Sequence, residues 1–257
     1  MSKRALILWR MAVAVVILGI WQAVSGPLID PFWLSTPVRI GISLWHSLRS
    51  GVLESDLLIT FQETIYGYVI GAAIGLVLAL ALGQSERVAD VLKPYILAVY
   101  GIPRIALAPI FVLWFGIAIE SKVMMAAMVT ALLVFFNTYE GVRATSLDLR
   151  NVAKVLGASR WRLFWHVTIP DASPWIIAGL RIAIPQALVG AVVAEFIAST
   201  AGLGYRIMET TSVLDTAGTM AGIFVLMVVV VALGSILDRV EARLLRWRPR
   251  ESDTHGR

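Results

Sequence analysis

The chain has 257 residues, of which 58% are hydrophobic and 15% charged, with a mean hydropathy of +0.81 and a formal net charge of +5. Soluble domains carry about 45–50% apolar and about 25% charged residues, so a water-soluble fold is excluded because it could not hide this much apolar surface. The lack of cysteine excludes disulfides, thiolate metal sites and cysteine nucleophiles, and the basic residues lie between and beyond the apolar runs, which speaks for membrane topology and against nucleic acid.

Lipid cannot hydrogen-bond the backbone, and the apolar runs do not alternate as barrel strands would, so the fold expected is all-α. A span needs about 20 apolar residues. The runs predict a polytopic bundle of about six spans, near 5–24, 61–83, 95–118, 122–139, 175–198 and 217–238. They group into an N-terminal anchor with an external segment over 1–60, a core over 61–238 that includes a loop at 140–174, and a basic tail over 239–257.

In chain order, Lys3, Arg4 and Arg10 introduce the first run, and Trp21-Gln22-Ala23-Val24 offers no small-x-small cleavage site, so a retained anchor is expected. The segment after it holds Pro27, Pro31 and Pro37 and then Ile42, Trp45 and Leu48 at helical spacing, the pattern of a helix lying on the membrane surface. In the second span Gly67, Gly71 and Gly75 form overlapping G-x-x-x-G units, which predict close helix packing. Glu63 and Asn137 fall near span ends, where water is the expected neighbour.

The third span is broken by Pro103 and Pro109, with Arg104 between them. Facing a cavity, Arg104 would offer an anion a bidentate donor; otherwise it snorkels to the interface. Glu195, late in the fifth span, joins Pro103, Arg104 and Pro109 as a candidate for a translocation pathway, because charge at membrane depth is costly. Trp9, Trp21, Trp33, Trp114, Trp175 and Trp247 read as interfacial anchors or packing residues. His46, His166 and His255 share no metal-binding spacing, and no metal or cofactor is expected.

With both termini on the cytoplasmic side, only Arg39, Arg49, Lys122 and Arg206 fall on the outer face, while Arg87, Lys93 and most other cations fall inside. The positive-inside rule selects that orientation.

The loop between the fourth and fifth spans is too polar to cross a membrane and too patterned for a linker. It predicts two short helices. Ser146 or Asp148 caps the first, Leu149, Val152, Val155 and Leu156 form its apolar stripe, and Gly157 ends it in a left-handed conformation. Ser159 caps the second, which carries Trp161, Phe164, Trp165 and Val167 and is expected to stop before Pro170. Taken alone, such a basic, amphipathic pair equally suits an anionic lipid surface.

The run Asn151-Val152-Ala153, three residues, Gly157, nine residues, Val167-Thr168-Ile169-Pro170 resembles the permease signature of ABC importers, E-A-A-x(3)-G-x(9)-I-x-L-P. Asn151 and Val152 depart from its Glu and first Ala. Leu113–Ile117, Asn137–Arg143, Gly179-Leu180-Arg181, Ala194-Glu195 and Gly202–Tyr205 extend the likeness, which is to the nitrate/sulfonate/taurine-type permeases. That resemblance implies a type I importer permease, probed at Asn151, Val152, Ala153, Gly157, Val167, Ile169 and Pro170 by cytoplasmic ATP-binding subunits. It also implies a second permease copy, an external solute-binding protein near Ala198–Val213, an inner-membrane location and a small solute such as a sulfonate, taurine, nitrate or a pyrimidine precursor. No G-x-x-x-x-G-K-[ST] occurs, so ATP hydrolysis is expected in another chain. The competing readings are an ion-coupled secondary transporter, which would carry mid-membrane carboxylate relays and repeated broken helices, and a scaffold that only recruits cytosolic proteins.

Overall fold

The computed structural model describes residues 3–84, 91, 94–95, 98–99 and 101–244. The basic tail is therefore described only to Leu244, and Arg87, Lys93, Trp247 and His255 lie outside the described residues. The elements are α1 (Lys3–Val24), α2 (Pro37–Arg49), α3 (Val52–Leu82), a 3-10 turn (Arg104–Leu107), α4 (Ala108–Phe115), α5 (Ile119–Arg143), α6 (Leu147–Val155), α7 (Arg160–Leu163), a π turn (Phe164–Thr168), α8 (Ile169–Ile197), α9 (Leu203–Ser212) and α10 (Thr216–Leu244).

Four helical stretches are long and apolar enough to cross a membrane, at Val52–Leu82, Ile119–Arg143, Arg160–Ile197 and Thr216–Leu237. Within the first and third expected spans lie the apolar stretches Leu8–Val24, part of α1, and Arg104–Phe115. Pro103 precedes the 3-10 turn and Pro109 occupies the first turn of α4, where its missing N–H is no loss.

The core is the packing of α3, α5 and α8 against one another. Because lipid supplies no hydrophobic drive between helices, contact depends on how closely backbones approach. Gly67, Gly71 and Gly75 all face α5; a methyl on Gly67 would lie 2.7 Å from the Val123 carbonyl oxygen, and one on Gly75 2.5 Å from that of Ala131. The G-x-x-x-G reading holds. Ala187 and Ala191 of α8 meet Ala126 of α5 in the same small-residue manner, and Met125, Val129, Leu133 and Val134 fill the space where all three helices converge.

Around this core, α10 packs on α2, α8 and α9, while α1 touches chiefly α2 and leaves most of its side chains exposed. Thr36 caps α2 by accepting from Arg39 N at 3.2 Å, and Ile42, Trp45 and Leu48 are exposed together along it. The third helix starts at Val52, well before the expected residue 61. Of its extra residues, Asp56 and Thr60 are buried.

Candidate functional site

Two places concentrate polar and charged chemistry, one at each end of the α3–α5–α8 core. The first is built on the early turns of α3. Asp56, Thr60, Glu63 and Thr64 recur every three or four residues, continue the glycine stripe and are buried with it. Glu195 near the end of α8 comes up against them. Its Oε1 accepts from Thr60 Oγ1 at 2.7 Å, and its Oε2 accepts from the Gly204 amide. Thr60 Oγ1 in turn accepts from Leu203 N at 2.8 Å, and Asp56 Oδ1 accepts from Gly202 N at 3.0 Å.

These bonds hold the start of α9, where backbone amides have no intrahelical partner, against α3 and α8. Gly202 makes this possible with φ +109°, and a methyl on Gly202 or Gly204 would run into the Glu195 carboxylate. Arg206 closes the cluster with Nε 2.9 Å from Asp56 Oδ2 and a second bond to Glu209. Partial burial disfavours the Arg206 charge, but the hydrogen bond and charge of Asp56, with Glu209, hold its pKa above the ordinary arginine value.

Glu195 is therefore at the centre of a buried polar knot, with 1% of its surface exposed. Its hydrogen-bond partners come from α3 and α9, not from the 3-10 turn that carries Arg104. Glu63 corrects the expectation that it would face water: it is 2% exposed, lies against Glu195, and its Oε2 has no hydrogen-bond partner among the described residues. Lys122, placed on the outer face at the start of the fourth expected span, is 1% exposed; its Nζ bonds the carbonyls of Ile117 and Ala118 and supplies a positive charge facing both glutamates. The sequence reading missed Asp56, Thr60, Lys122 and Arg206 as members of this cluster. The usable signal was the heptad-like continuation from Asp56 through Thr60 and Thr64 into Gly67 and Gly71.

The second place is the α6–α7 segment at the opposite end. Here α6 closes as the sequence predicts: Gly157 has φ +79°, Gly157 N donates to Lys154 O at 2.9 Å, and Ala158 N donates to Ala153 O at 2.9 Å, the Schellman pattern. Ser159 caps α7 by accepting from Arg162 N at 3.3 Å. Ser146 occupies the N-cap position of α6 without a side-chain cap bond; its backbone N–H is taken by Asp171 Oδ2 at 3.2 Å, and Asp148 lies in the first turn, where a negative charge suits the helix dipole.

The second short helix does not stop before Pro170. Instead α7 runs through the π turn directly into α8, with Pro170 just after that turn. Leu149, Val152, Val155 and Leu156 stand exposed along α6, Val155 at 87% and Leu156 at 81%. Asn151 and Gly157 are exposed beside them, Ala153, Val167 and Ile169 are half-buried, and Pro170 is exposed. Pro103 and Pro109 are also exposed and Arg104 half-buried.

The family model for the binding-protein-dependent transport system inner membrane component matches residues 71–247. The chain is 32% identical over 232 residues to a formylaminopyrimidine transport permease protein of Halalkalibacterium halodurans, covering 90% of this chain and 92% of that one. It is 30% identical over 247 residues to the taurine transport system permease protein of Escherichia coli, covering 90% and 86%, and 32% identical over 234 residues to a riboflavin transport system permease protein of Chloroflexus aurantiacus, covering 90% and 87%. Among solved structures, an amino acid ABC transporter chain superposes with a TM-score of 0.65 at 19% identity, covering 78% of this chain and 97% of that chain. An inward-facing methionine ABC transporter chain gives 0.58 at 15% identity, covering 79% and 95%. These two likenesses are of fold.

Proposed function

We infer, from the premise that this chain belongs to the family of binding-protein-dependent transport system inner membrane components, that its α6–α7 segment is the surface through which ATP hydrolysis drives it. The chain is the membrane-spanning permease of an ABC importer, a multi-pass inner-membrane transport component and not an enzyme; ATP-binding subunits and a solute-binding protein belong to such a system. The ion-coupled and scaffold readings are thereby set aside.

The observation that carries the docking reading is the exposed apolar stripe Leu149, Val152, Val155 and Leu156, held in a fixed pose by the Gly157 cap and joined without a break to α8. A partner that grips this stripe pulls on a helix that crosses the core. Asn151, Ala153, Val167, Ile169 and Pro170 frame the stripe, and Asn151 and Val152 give it a surface suited to its own ATPase. We assign both termini and this segment to the cytoplasm on the positive-inside rule. The polar knot and the Ala198–Val213 stretch then face outward, where the solute-binding protein docks, and a second copy of the chain completes the pathway. The three regions 1–60, 61–238 and 239–257 serve as anchor, permease core and basic tail.

For the solute, the taurine permease relative and the half-buried Arg104, flanked by Pro103 and Pro109, support a small sulfonate-type anion, with Glu195 holding the outer end of the pathway shut through its bonds to α9. The relative named for formylaminopyrimidine makes that compound the appropriate competitor. The test is uptake in cells producing the whole importer, with Val155→Asp as the docking variant. Wild-type cells should accumulate taurine in preference to formylaminopyrimidine, and Val155→Asp should abolish both uptake and ATPase co-purification. Uptake and co-purification unaffected by Val155→Asp would overturn the docking assignment; formylaminopyrimidine uptake alone would overturn the anion assignment.

A further inference from the structure

Behind the exposed stripe of α6 lies a cavity of about 770 Å³ whose lining carries Arg143, Arg150, Lys154 and Arg160. The helix sorts its residues between two faces. Leu147, Arg150 and Lys154, at i, i+3 and i+7, line the cavity, while Leu149, Val152 and Leu156, spaced the same way, stand on the exposed stripe. Arg143 arrives from the end of α5 and Arg160 from α7. The rest of the wall includes Gln84 beyond α3 and Thr168 in the π turn.

Among the described residues no carboxylate lines this cavity, and none of the four cations forms an ion pair with a described carboxylate. Arg150 spends one nitrogen on the Val142 carbonyl, Nη2 to O at 2.8 Å, but its buried Nε has no hydrogen-bond partner among the described residues. Arg143 lies over the Tyr139 ring. Four like charges around one concave space raise a strong positive potential, and a buried guanidinium nitrogen with nothing to donate to is a costly group.

We propose that this cavity is a binding site for a phosphate group, carried on an anionic phospholipid headgroup or on a free phosphorylated solute. Phosphate has the oxygens to take charge-assisted bonds from several guanidinium and ammonium donors at once, and the volume falls within the roughly 300–1,000 Å³ of ligand pockets. Occupied, it clamps the end of α5 to α6 and α7 and sets the pose in which the exposed stripe is presented. The site stands apart from the docking assignment: ATPase co-purification reads one, phosphate retention the other.

The experiment uses the complete importer, purified without nucleotide, in nanodiscs of phosphatidylcholine alone or mixed with phosphatidylglycerol. One arm measures retained phosphatidylglycerol by native mass spectrometry; the other titrates inorganic pyrophosphate against melting temperature in phosphatidylcholine. The nucleotide sites of the ATPase contribute equally to every permease variant. Lys154→Gln with Arg160→Gln should lower phosphatidylglycerol retention or weaken the pyrophosphate response by about tenfold, and Lys154→Arg with Arg160→Lys should restore it. A fall in the first arm assigns the phosphate to lipid, and a fall in the second to a free solute. No change in either arm, an equal fall with Arg162→Gln, which does not line the cavity, or loss of ATPase co-purification with both arms unchanged would overturn the site.

Discussion

At the α9 end of the core, Asp56, Thr60 and Glu195 take up the amides of Gly202, Leu203 and Gly204, Arg206 answers Asp56, and nearly every polar atom is matched inside the chain. At the α6 end, Val155 and Leu156 are almost fully exposed, and four cations line a cavity with no acid beside them among the described residues. The first end is satisfied largely by its own residues, Glu63 Oε2 excepted; the second presents chemistry that other molecules complete. Stability should therefore reside at the first end and coupling at the second, and substitutions can separate the two.

The largest loss of stability is expected for Glu195→Ala, which leaves Thr60 and the Gly204 amide without their acceptor in a site shut off from water. Removing one partner of a buried network costs about 3 kcal/mol, read as a lowered melting temperature of the purified chain. A change below about 1 kcal/mol would show that the knot is not what holds this end together. Gly71→Leu comes next. It forces a side chain into the Ala127 backbone across the α3–α5 contact, at about 2 kcal/mol for overpacking, and the same melting measurement checks it. An unchanged melting temperature would mean that α3 and α5 part easily.

The smallest effect on stability is expected for Gly157→Ala. A methyl there meets nothing within 4 Å, so the cost is the left-handed backbone alone, about 1 kcal/mol. Because that strain falls on the pose of α6, ATPase co-purification should fall several-fold while the melting temperature barely moves. A variant that melts early but still carries its ATPase would reverse the contrast between the two ends.

Much of the coupling segment was legible because its signals are local. Gly157, Ser159 and the stripe from Leu149 to Leu156 act through neighbours a few residues away, and caps and helical faces depend on little else. Pro170 misled because a π turn is a matter of how successive turns are stacked, and no residue type announces it. At the other end, Asp56 and Gly202 are 146 positions apart and Thr60 and Glu195 are 135 apart. Glu63 read as a water-facing residue because its distance from the end of an apolar run was the only measure available, whereas α3 begins at Val52, nine residues before that run suggested.

By itself the sequence determined the solvent, the helical class, the glycine face of α3, the capped segment around Gly157 and the absence of an ATP-binding loop, since each follows from composition or from spacing within a turn or two. Only the tertiary structure decided that Glu63, Lys122 and Glu195 share one buried place, that α7 flows into α8, and that Arg143, Arg150, Lys154 and Arg160 surround one cavity. Burial of charge depends on which helices meet, and that is set by packing across the whole chain rather than by any stretch of it.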